Sequence, residues 1–234
     1  MNNKGEGHTY IIVGDKPWNR RVFDDVISKY PGLWYFIDSR EQLTLEAIQR
    51  LSPRYIFFLH WSWEVRDELI DTYECVCFHM TDVPYGRGGS PLQNLIVRGH
   101  RHTKLTAMRM IHDFDAGPGY LKEDLCLEGS AEEIYIRATY LSAEMVKRII
   151  SEQPQPWPQR GDVVMFKRRH PEQSEILEIG SLQALHDFIR MLDAEGYPKA
   201  FLNSKGFHYE FSRATLYNGR IVADVTITPL KRDK

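Results

Sequence analysis

ECVCFHMTDVPYGRGGSP, residues 74–91, passes from an alternating apolar segment, through a loop rich in Gly and Pro, into the start of a helix. Residues two apart on a strand point the same way, so a strand over Glu74–His79 puts Cys75, Cys77 and His79 on one face. A chain that leaves a sheet through such a loop and enters a helix near Leu92 marks where open α/β sheets hold ligands, outside the carboxyl ends of the strands. Upstream, the short apolar runs Tyr10–Val13, Leu33–Ile37 and Tyr55–Leu59 alternate with helical spacings over Arg20–Tyr30, Leu43–Leu51 and Val65–Ile70. Strands alternating with helices predict an α/β fold with a doubly wound, mainly parallel, Rossmann-like sheet.

Downstream, Thr106–Ile111 reads as another strand, and Ser130–Ile150 as a long amphipathic helix opened by a capping box of Ser130 and Glu133. QPQPWPQRG, residues 153–161, holds three prolines within five residues and reads as an extended linker. The expected organisation is therefore a main domain over residues 1–155 and a small C-terminal α+β appendage over 156–234. The appendage should contain a helix over Leu182–Glu195 and strands over Tyr209–Ser212 and Arg220–Thr228.

The chain has 234 residues, of which 42% are hydrophobic, enough to bury a sizeable core. Thirty basic against 32 acidic side chains give no global field for nucleic acid or an anionic membrane, so neither is expected as a partner. The start, MNNKGEGHTYIIVG, is too short in apolar residues for a signal-peptide core or a membrane span. Cys75, Cys77 and Cys126 form no disulfide scaffold and are expected as free thiols. A cytoplasmic location follows as the expectation.

The densest chemistry lies between Cys75 and Asp115. A histidine at a strand end, a glycine-rich loop and an aspartate before Ala116 and Gly117 suit proton transfer around a bound substrate. Each has a plainer reading: His79 as a hydrogen-bonded structural histidine, Asp115 as a turn or cap residue. A zinc site of Cys75, Cys77, His79 and Asp115 is disfavoured. Three alternate positions on one strand span too far, at about 3.3 Å per residue, to converge on one tetrahedral ion.

The spacing goes further. His79 is followed by Pro84, Arg87, Gly88 and Pro91, then by Gly99, by Thr103-Lys104-Leu105-Thr106 and by Asp115-Ala116-Gly117. This set resembles the formyltransferase family, which includes glycinamide ribonucleotide, methionyl-tRNA and sugar-amine formyltransferases. Ile189-Arg190, Gly196-Tyr197-Pro198 and Ala200-Phe201 are a weaker echo of the stretch after the family's core. FHMTDVPYGRGGSPLQNLI and VVMFKRRHPEQSEI are similar to the sugar-amine members and, more narrowly, to a formyltransferase of pseudaminic acid biosynthesis.

The resemblance implies transfer of a formyl group from 10-formyltetrahydrofolate to the primary amine of a nucleotide-linked amino-dideoxy sugar, with no metal. His79 would move protons, and Asp115 would hold and polarise its imidazole. Backbone groups of two loops would bind the pterin, aligned with His60–Trp63 (Trp61, Ser62, Trp63) and Arg109–Phe114 (Met110, Ile111, Asp113). The acceptor would approach along Tyr85–Asn94, with Tyr85, Arg87, Gly88 and Gln93 as its contacts and Arg87 able to pair with a phosphate.

One position departs from the family. Cys77 stands where the family has an Asn that donates to the formyl oxygen, and losing such a donor typically costs about 100- to 1000-fold in rate. A thiol is a weak donor. Asn94, Thr81 or protonated His79 is expected to replace it. The alternatives are a non-catalytic folate- or nucleotide-sugar-binding member, or an enzyme like the methionyl-tRNA formyltransferases. The strands of the tail could form a homodimer interface or a lid.

Overall fold

Tyr10, Ile11, Ile12 and Val13 are all buried, the pattern of a strand covered on both faces. They belong to β1 (Thr9–Val13), which leads into α1 (Pro17–Asp25), a 3₁₀ turn, β2 (Leu33–Ile37), α2 (Leu45–Leu51), β3 (Tyr55–Phe58), α3 (Asp67–Thr72) and β4 (Cys75–His79). The computed structural model describes residues 7–230, so the first six residues of the N-terminal stretch considered above lie outside the described residues.

After β4 come β5 (Tyr85–Gly88), α4 (Pro91–Val97), β6 (His102–Arg109), β7 (Gly119–Cys126), α5 (Ala131–Glu152) and β8 (Val164–Phe166). The main sheet has the order β2-β1-β3-β4-β6-β7. β1 pairs in parallel with β2 and β3, and β3 with β4, whereas β6 runs antiparallel to β4 with His79 opposite Thr106. The doubly wound sheet is thus mixed beyond His79. One face packs Ile11, Val13, Ile56 and Phe58 against Ile48 of α2 and Leu69 and Ile70 of α3. The opposite face carries Tyr10 stacked on Trp34 at 4.6 Å. Asn19 of α1 donates to Thr139 of α5 at 3.4 Å.

The chain divides into two units, but not at a single cut near residue 155. Unit 1 takes the chain up to Gly88, Thr103–Leu125 and Ile136–Met165; unit 2 takes Gly89–His102, Cys126–Tyr135 and the chain from Phe166 onward. The proline-rich stretch is no free linker, because Trp157 and Gly119 exchange two backbone hydrogen bonds at 2.8 and 2.9 Å. A Cβ on Gly119 would lie 2.3 Å from the Trp157 ring, so only glycine lets the indole pack there.

Unit 2 contains α6 (Leu182–Arg190) and a three-stranded antiparallel sheet of β9 (Ala200–Ser204), β10 (Phe207–Tyr217) and β11 (Arg220–Pro229). Ser181 caps α6 by accepting from the Ala184 N–H at 3.1 Å. Arg190 is buried, paired with Asp187 at 2.6 Å and donating to the carbonyls of Leu127 and Gly129 at 2.6 and 2.9 Å. The helix ends at Arg190, short of the Glu195 end expected from periodicity. Among the described residues no helix is long and apolar enough to cross a membrane.

Candidate active site

His79 ends β4 and is 8% exposed. Its Nε2 sits 2.8 Å from the Gly86 carbonyl. A carbonyl only accepts, so Nε2 carries the hydrogen, and the neutral ring must leave Nδ1 with its lone pair. Nδ1 faces Oδ1 of Asp115 at 3.5 Å. The fold therefore sets the tautomer from one side and offers a proton-accepting nitrogen beside a carboxylate on the other.

Asp115 lies in a left-handed turn with φ of 53°, costly for a non-glycine residue by about 1–2 kcal/mol. Its Oδ2 accepts from the Gly88 N–H at 2.8 Å. Gly117 is required two residues on, because a Cβ there would lie 1.8 Å from the Arg109 carbonyl oxygen.

Beside this pair opens a cleft of about 470 Å³ lined by Glu64, Val65, Asp67, Ile70, Cys77, Met108–His112, Phe114, Asp115 and Gly117. Met110 and Ile111 line it. Asp113 does not; its carbonyl accepts from the Ala116 N–H at 3.3 Å within the turn that carries Asp115. Trp61, Ser62 and Trp63 are also absent from the lining. Trp61 packs against the apolar core and meets Trp63 edge-on at 4.7 Å, while Ser62 is exposed.

Cys77 does line the cleft. Burial above all, and then the Asp115 charge, push its thiol well above the ordinary range, so it stays protonated. It is a weak S–H donor, not a thiolate nucleophile. Among the described residues no group of three His, Cys, Asp or Glu side chains could hold a metal ion.

Two of the expected replacement donors are engaged elsewhere. Asn94 points its Nδ2 at the carbonyls of Gly89, Ser90 and Lys167 at 2.9–3.1 Å, and its Oδ1 accepts from Arg98. Its amide is a structural clamp within unit 2, which corrects its assignment to the reaction centre. Thr81 Oγ1 donates to the Gly86 carbonyl at 3.3 Å. Protonated His79 remains of the three.

The acceptor loop is corrected in the same way. Gln93 is buried, its Nε2 donating to Tyr135 Oη at 2.9 Å and the Met191 carbonyl at 3.1 Å, so it packs unit 2 rather than contacting an acceptor. Tyr85 is half-buried on β5, and Gly88 anchors Asp115. Arg87 holds Oε1 of Gln159 at 3.0 and 2.7 Å. Gln159 was not singled out in the sequence, where it stands among prolines with no motif to mark it.

Residues 171–228 match the family model described as the methionyl-tRNA formyltransferase C-terminal domain. A solved structure described as methionyl-tRNA formyltransferase from Clostridium thermocellum is 43% identical with a TM-score of 0.90, covering 95% of this chain and 99% of that one. A curated methionyl-tRNA formyltransferase of Rickettsia prowazekii is 29% identical over 116 residues. That match spans 48% of this chain and only 38% of the relative. A 4-N formyltransferase from Francisella tularensis, 14% identical with a TM-score of 0.66 over 97% of this chain and 98% of its own, shares the fold.

Proposed function

This chain belongs to the formyltransferase family, and on that premise we propose that it transfers a formyl group from 10-formyltetrahydrofolate to a primary amine. The observation that carries the proposal is the orientation of His79, with Nε2 fixed on the Gly86 carbonyl and Nδ1 facing Asp115 at the cleft. The cleft suits the donor: Val65, Ile70, Met108, Met110 and Ile111 offer an apolar wall for a flat heterocycle, with Glu64, Asp67, Arg109, His112 and Asp115 as polar partners. Bound there, the folate supplies the formyl carbon and a nitrogen as leaving group.

The chain's own residues handle the protons. Nδ1 of His79 accepts the proton that the attacking amine must lose and returns it to the leaving nitrogen. Asp115, held by the Gly88 N–H, faces the ring that carries this proton in between. In that state the Nδ1–H and the Cys77 S–H are the donors available to the formyl oxygen as it gains charge. Replacing Cys77 with Asn restores an amide donor, so Cys77→Asn should hold or raise kcat in a steady-state assay. A loss beyond about tenfold would give the thiol a role of its own.

The amine of methionyl-tRNA is the acceptor that the relatives' names support better. This runs against the expectation of a small acceptor and no nucleic acid. A nucleotide-linked amino sugar is the second reading, favoured by the balance of 30 basic and 32 acidic side chains, which gives no general field for an RNA. The test is to incubate the protein with 10-formyltetrahydrofolate and either methionyl-tRNA or a panel of nucleotide-linked amino sugars, following tetrahydrofolate release and formylated product. Product with one class assigns the acceptor. Folate binding without turnover on either would replace the enzyme with a non-catalytic binding member.

A further inference from the structure

Gln159 uses both ends of its amide on groups that flank the His79–Asp115 pair. Nε2 donates to the Asp115 and Gly117 carbonyls, each at 2.8 Å. Oε1 accepts two hydrogen bonds from the Arg87 guanidinium, from Nε at 3.0 Å and Nη2 at 2.7 Å. The orientation is forced, because a flipped amide would set its N–H groups against a guanidinium and its oxygen against two carbonyls. Arg87 directly precedes Gly88, whose N–H reaches Asp115 Oδ2. Gln159 therefore bridges the same two backbone segments that the Gly88–Asp115 bond joins.

We propose that Gln159 is a positioning residue for the reaction: it holds the Asp115 turn against the Arg87–Gly88 strand and so fixes the carboxylate opposite His79 Nδ1. The left-handed Asp115 needs such support, since its own backbone conformation favours relaxation. The role also explains why a segment so rich in proline is pinned to unit 1 through Trp157: the anchoring sets Gln159 two residues further on. Arg87, with its guanidinium engaged by an amide, serves here as one end of the clamp. The proposal rests on the formyl-transfer reading for its kinetic test but not for its structural one.

The experiment compares Gln159→Ala and Gln159→Glu with the wild type. Glu keeps the length and the acceptor for Arg87 but puts an oxygen against the two carbonyls, so it isolates the Asp115 side of the clamp. Both variants should lose about 10- to 100-fold in kcat, with KM for the formyl donor within about threefold of wild type. The pH at half-maximal kcat should also move, whereas a merely looser fold would lower kcat by one factor at every pH. Independently of activity, amide hydrogen exchange at Gly88 should quicken in both variants as its bond to Asp115 loosens. Wild-type kcat in Gln159→Glu overturns the proposal, and so does unchanged Gly88 exchange. If the wild type formylates nothing, the formyl-transfer reading fails while the exchange measurement still decides the clamp.

Discussion

His79→Ala is expected to lose about 100- to 10,000-fold in kcat, the usual contribution of a positioned acid–base group, with the fold retained. The retention has a specific cause. The Gly86 carbonyl accepts from both His79 Nε2 and Thr81 Oγ1, so removing the imidazole leaves it a donor and creates no orphaned buried acceptor. Folate binding should persist, since the substitution leaves the apolar wall of Val65, Ile70, Met108, Met110 and Ile111 untouched. Single-turnover formyl transfer with purified variant, alongside its thermal midpoint, measures both halves. Near-normal turnover would place the reaction away from His79.

Gly117→Ala should damage stability and activity together. The added Cβ would come within 1.8 Å of the Arg109 carbonyl oxygen, and that neighbour is backbone, so no side chain can swing aside. Overpacking of this kind costs about 1–3 kcal/mol, or roughly 2–12 °C in melting midpoint for a chain of this size. Relief requires moving the turn that carries Asp115 or the Arg109–Met110 wall of the cleft, and a shift of about 1 Å near the reacting groups can cost 100-fold. A variant with wild-type midpoint and turnover would mean that the Asp115 turn is not held as tightly as the structure has it.

The strands that decide the fold were legible because they are buried on both faces. Tyr10–Val13 and Tyr55–Phe58 need no partner information to be read as strands. β7 escaped notice: GYLKEDLC has three consecutive charged residues in eight, and its middle is only partly buried. β5 lies inside what reads as a plain Gly/Pro loop, and its partner is β8, far along the chain, whose Val164 donates to the Pro84 carbonyl at 3.2 Å.

The site was partly legible for the same kind of reason. His79 and Asp115 follow from a fixed spacing, and the structure brings them together. The burial of Gln93 is a matter of helix rotation, which the seven residues of α4 leave undetermined while Leu92, Leu95 and Ile96 are buried around it. Gln159 depends on contacts across 44 and 72 positions, and no local pattern encodes those.

Unit 2 is assembled from three separated lengths of chain, and this limits how it can be exchanged between relatives. A swap made at one junction after the proline-rich segment would graft the antiparallel sheet and α6 without Gly89–His102 and Cys126–Tyr135. The transplanted Arg190 would then meet foreign carbonyls where Leu127 and Gly129 now receive it. Chimeras with a relative should therefore fold only when all three segments travel together, and natural recombination at a single crossover would seldom yield a working hybrid.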